Sequence, residues 1–81
     1  MPYIDSKDRE EVINCGALNA GQLNYQITMV LTEYLRKKGL KYQVINDIIG
    51  ALEGAKLEFY RRAVIPYEDM KKDLNGDVYK L

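Results

Sequence analysis

No histidine occurs anywhere in the chain, and Cys15 is its only cysteine. The first absence removes the most common general base and metal ligand, and with one thiol left no ordinary zinc site can be assembled. A single cysteine also forbids a disulfide within the chain. Tryptophan is missing, proline appears only at Pro2 and Pro66, and no apolar run approaches the ~20 residues of a membrane span. Twelve basic and twelve acidic side chains cancel, so no field of one sign draws the chain to nucleic acid or to a membrane surface. The opening Met1-Pro2-Tyr3-Ile4-Asp5 lacks both the basic and the apolar parts of a signal peptide. The expectation is a cytoplasmic protein with no membrane association, no metal and no cofactor.

What is present is short and helix-forming. Eighty-one residues make one domain, residues 1–81. A chain of this size hides only roughly 60–65% of the surface that its unfolded form exposes, so its own core is thin. Small domains add disulfides, a structural metal or a second copy of themselves. The first two are excluded here, which leaves oligomerisation. Seven tyrosines suit half-buried surfaces, where one end of the ring stays wet.

Three main helices are expected. Asp5 or Ser6 can cap a first helix with Asp8, Glu10 and Glu11 in its opening turns, where acids meet the positive helix end. Its apolar content is little more than Val12 and Ile13, and Gly16 ends it near Cys15. Asn19-Ala20-Gly21-Gln22 then has capping-box spacing. Leu23, Ile27, Val30, Leu31, Tyr34 and Leu35 recur at helical intervals, and Lys37, Lys38 and Gly39 form the stop. A joint of about four residues follows, a length that sets neighbouring helices antiparallel. The third helix starts near Tyr42, with Val44, Ile45, Ile48, Ile49, Leu52, Ala55, Phe59 and Ala63 on one face. Pro66 should kink or break it near Ile65, with helix resuming over Tyr67 to Lys72 and ending at Asn75-Gly76. Favourable ion pairs at four-residue spacing are Glu33 with Lys37 and Glu58 with Arg62. The alternating tail Asp77 to Leu81 has the form of a short strand that could pair with Pro2-Tyr3-Ile4. The fold class is therefore all-α, a small helical bundle with a kinked or broken third helix.

Chemistry-bearing clusters are few. Cys15 has no histidine to activate it, and a small buried or loop cysteine accounts for it as well. Glu10-Glu11, Glu53 with Glu58, and Glu68-Asp69 could hold a divalent ion in a nucleotide-hydrolysing enzyme. However, Glu53 and Glu58 miss the three- or four-residue spacing of a shared helix face, and basic residues lie near most of these acids. Asp73, Asn75 and Asp77 match the first ligands of a calcium loop, but its sixth position should be glycine and is Val78; a helix end at Asn75-Gly76 explains the same residues. Arg36-Lys37-Lys38 with Lys41 joins two helices, as in a helix-turn-helix. The start of the next helix is then Gln43 to Ile48, with an acid and three aliphatics where a groove reader needs polar and basic groups.

The third helix has a second face. Gly50, Gly54, Leu57, Arg61 and Val64 lie away from the main stripe. Two helical glycines cost about 1 kcal/mol each relative to alanine, so a close neighbour is expected to compensate. Either the first helix or a second molecule fills this candidate interface.

Gly21-Gln22-Leu23-Asn24-Tyr25 with Ile27, the run Ile49 to Arg62 with its Glu58-Phe59-Tyr60-Arg61-Arg62, Pro66-Tyr67-Glu68-Asp69, and Asn75-Gly76-Asp77-Val78-Tyr79 together resemble a family of small bacterial, archaeal and phage proteins of unknown function. The resemblance covers nearly the whole chain. It implies a longer first helix than the one read between Ser6 and Cys15, and it brings no activity, cofactor or assigned site.

The reading is a non-enzymatic helical module that forms a homo-oligomer, a dimer or larger, or binds another protein. A nucleic-acid-associated or phage-type regulatory factor is the alternative, followed by a carboxylate- and metal-dependent enzyme acting on nucleotide or phosphate substrates.

Overall fold

Short side chains that accept hydrogen bonds start the first two helices, and glycines end them. A computed structural model describes all 81 residues. Asp5 takes the backbone N–H of Asp8 at 2.8 Å and caps α1, Ser6–Cys15. Asn19 takes the N–H of Gln22 at 2.9 Å and caps α2, Ala20–Lys38. Each cap satisfies a donor that the first helical turn would leave unpaired. α3 covers Tyr42–Phe59, and α4 covers Ile65–Asn75.

At the other ends, Gly16, Gly39 and Gly76 have φ of +79°, +89° and +92°. Each donates its N–H to the carbonyl four residues back: Val12, Leu35 and Lys72 respectively. Positive φ is cheap only without a Cβ, so these three positions fix where the helices stop. α1 ends at Cys15 for that reason, and the longer first helix that the resemblance implied does not form.

The expected kink or break at Pro66 takes a specific form. Residues Tyr60–Val64 make a π-helical turn, and the Ile65 N–H reaches back five residues to the Tyr60 carbonyl. Pro66 has no N–H to offer, and in a regular helix its ring would press on the carbonyl of Arg62. The wider turn moves that carbonyl aside, so the third helix is joined from pieces and continues to Asn75. No residue lies in a strand. The short strands suggested for the termini are therefore absent: Met1–Asp5 carries a local bond from the Ile4 N–H to the Pro2 carbonyl, and Asp77–Leu81 has no regular structure. In the tail, the Asp77 carboxylate takes the Tyr79 N–H, a local alternative to a ladder.

The chain divides into two compact units, Met1–Ile45 and Asn46–Leu81. In the first, α1 packs against α2, and the buried residues of the chain, Val12, Gln22 and Val44, all lie there. In the second, the π turn and α4 follow α3. No side chain of this unit is fully buried, and Ile48, Leu52 and Val64 are half-buried. Of the main α3 stripe, Ile45, Ile49, Ala55, Phe59 and Ala63 remain exposed. No helix is long and apolar enough to cross a membrane.

Candidate functional site

The first unit is held together by a polar latch. Gln22, only 2% exposed, donates its amide N–H to Glu11 Oε2 at 2.8 Å and accepts the Leu18 N–H on Oε1 at 2.9 Å. One amide side chain thus ties α1, the joint and α2 together, and no buried side-chain polar atom lacks a partner. The capping-box spacing foretold the Asn19 cap, but Gln22 does not return the bond to Asn19. It reaches Leu18 and Glu11 instead. The Glu11 contact spans eleven residues, and no local pattern announces it. Arg9 adds to the same contact: its guanidinium lies 5.6 Å from the Tyr25 ring centre, while its Nε donates to the Ile4 carbonyl.

Beside this latch lies an open groove of ≈ 660 Å³, lined by Val12 and Ile13 of α1 and by Tyr25, Met29, Val30 and Tyr34 of α2. Gln26, Glu33 and Lys37 supply its polar lining. Ile13 and Met29 belonged to no expected site. Met29 lies off the Leu23–Ile27–Val30–Tyr34 stripe and gains a role only because α1 lies on that side.

In the second unit, a Cβ built on Gly50 or Gly54 would meet no atom within 4 Å. Leu57 is exposed on the same face, and Val64 is half-buried within the π turn. Arg61 forks bidentately onto Glu58, with Nε–Oε2 at 3.3 Å and Nη2–Oε1 at 2.8 Å. This corrects the expected pairing of Glu58 with Arg62: the partner is three residues on, and the guanidinium fork matches both carboxylate oxygens. Glu33 does pair with Lys37, at 3.8 Å, and also takes Arg36 at 2.7 Å. Two cations of the basic cluster are thereby directed onto their own helix.

No group of three or more Cys, Asp or Glu side chains is placed to hold an ion. Glu53 faces Lys56 at 3.7 Å, and Gly76 performs the helix-ending role read from Asn75-Gly76. A smaller groove of ≈ 360 Å³ between α4 and the tail is bordered by Glu68, Asp69, Lys71, Lys72 and Tyr79, mixed in charge. Cys15 is exposed in the last turn of α1, so the buried or loop position suggested for it does not hold.

No curated protein and no solved structure matches this chain. Residues 1–78 match a family described as a domain of unknown function (DUF6899), to which the chain therefore belongs.

Proposed function

We propose that the chain is a helical self-association or protein-interaction module and not an enzyme. The observation that carries this reading is exposed apolar surface within each unit: Leu23, Ile27 and Val30 are exposed in the first, and Ile49, Leu57 and Phe59 in the second. Exposed apolar patches of this kind mark contact surfaces in soluble proteins.

Within this reading, the α3 face of Gly50, Gly54, Leu57, Arg61 and Val64 is one contact surface. The vacant space over both glycines would let a neighbouring backbone approach closely, which offsets the helix propensity lost there. Light scattering coupled to size exclusion across a hundredfold dilution tests the reading. A mass of two chains or more at micromolar concentration is expected. The mass of one chain at every concentration would refute self-association.

A further inference from the structure

Asparagine is followed by glycine at one place, Asn75-Gly76; Asn14, Asn19, Asn24 and Asn46 precede Cys15, Ala20, Tyr25 and Asp47. A glycine nitrogen has no neighbouring Cβ to shield it, so this pair is the best suited to attack of the backbone on the side chain. Asn75 is the last residue of α4, and Gly76 follows it at φ +92° with its N–H donated to the Lys72 carbonyl at 2.8 Å. That bond holds the attacking nitrogen. Ring closure also needs the Asn75 Cβ and the Gly76 nitrogen eclipsed about the Cα–C bond, and helical ψ keeps them roughly a quarter turn apart. The C-cap of α4 is a lock on the reaction.

The lock is weak. Every residue from Ile65 to Leu81 is exposed, and Asp77–Leu81 has no regular structure, so no buried side chain anchors the last turn of α4 against fraying. Asn75 and Gly76 also line the open groove between α4 and the tail, where water reaches them. We propose that Asn75 is a site of spontaneous covalent modification, converting to aspartate and isoaspartate through a cyclic imide with Gly76 at a rate gated by opening of the α4 C-cap.

In the open state the Gly76 nitrogen gives up its proton and bonds to Asn75 Cγ. The Cγ–Nδ2 bond breaks, and the side-chain nitrogen takes up a proton and leaves as ammonia. Water then adds to one imide carbonyl. Breaking the Cγ–N bond gives aspartate in the normal chain; breaking the bond from the main-chain carbonyl carbon to nitrogen gives isoaspartate, with the chain running through Cγ. Either product adds a carboxylate at the negative end of α4, between Asp73 and Asp77, where the helix dipole disfavours it. The isoaspartyl chain also carries an extra methylene, which shifts the Gly76 N–H out of register with the Lys72 carbonyl. Modification therefore undoes the cap that restrained it.

The test incubates the purified chain at mildly alkaline pH and follows its intact mass, with peptide mapping and an isoaspartyl-specific methyltransferase to identify the products. Conversion of amide to carboxylate should map to Asn75, quicken as the pH rises because Gly76 must lose a proton, and be lost in Asn75→Gln, whose longer side chain needs a larger ring. Urea removes the lock and should speed conversion about tenfold or more. Lys72→Gly keeps the acceptor carbonyl but frays the last turn, and should speed conversion roughly fivefold, the factor that the lost helix propensity supplies. Conversion that maps to another asparagine, or none in the folded and denatured chains alike, would overturn the site. Equal rates in the folded, Lys72→Gly and denatured chains would overturn the gate. Conversion confined to the denatured chain would mean that the cap does not open in the native fold, and would overturn the proposal as well.

Discussion

The side-chain amide of Gln22 donates to Glu11 Oε2 at 2.8 Å and so ties α2 to α1. Its energetic weight comes from burial, because a buried polar group that loses its partner carries the full desolvation penalty. Gln22→Leu would keep the bulk but leave the Leu18 N–H and one Glu11 oxygen unpaired. A loss of about 1–3 kcal/mol is expected, read as a lower midpoint in urea with an unchanged slope.

Gln22→Glu gives a sharper version of the same test. The new carboxylate can still accept from Leu18, but it faces Glu11 at hydrogen-bond distance, where two like charges repel. The variant should be less stable than wild type at neutral pH. Its deficit should shrink as the pH falls into the carboxylate range, where one proton shared by the pair restores a donor. Parallel denaturation curves at neutral and acidic pH check the sign; a deficit that widens with acid would contradict the geometry.

The N-cap of α2 is tested by Asn19→Ala. Losing the bond to the Gln22 N–H at 2.9 Å should cost about 1 kcal/mol, with a range of roughly 0.5–2. Asn19→Asp should retain most of the stability, because a carboxylate accepts the same bond and suits the helix N-terminus.

Gly54 separates the behaviour of the free chain from that of the assembly. A methyl group there meets nothing within the chain, so Gly54→Ala should stabilise dissociated chains by up to ~1 kcal/mol. If another helix occupies the face, the same methyl group should weaken association, since overpacking typically costs about 1–3 kcal/mol. Denaturation at high dilution and sedimentation at high concentration should therefore move in opposite directions. A stabilised protein with unchanged association would remove this face from the interface.

Pro66 explains the π turn, so Pro66→Ala should abolish the need for it. The restored N–H can bond within a regular helix, and the clash with the Arg62 carbonyl disappears. Stability should rise, by at most ~3 kcal/mol, the penalty for proline inside a helix. A larger mean-residue ellipticity and a higher urea midpoint are the expected readouts.

Helix limits were legible in the sequence because capping is local. Asp5, Asn19, Gly16, Gly39 and Gly76 act on backbone groups within four residues of themselves, so the motif and its consequence lie on the same short stretch of chain. The disturbance at Pro66 was legible for the same reason. Its resolution as a π turn was not, since a helix can answer a proline by kinking, breaking or widening, and similar local energies separate these outcomes. The strands suggested for the termini rested on alternation alone. A strand needs a partner to take its backbone bonds, and in the structure the Asp77 carboxylate accepts the Tyr79 N–H locally.

The helical class, the limits of the helices and the absence of histidine and disulfide chemistry follow from residue identity and nearest neighbours. So does the spacing of Leu23, Ile27, Val30 and Tyr34. Which side of α2 meets α1 is set by packing, and with it the burial of Gln22 and the exposure of that stripe. The reason is physical. Burial depends on what lies opposite, and the bond from Gln22 to Glu11 joins residues on different helices, whose meeting no local periodicity encodes.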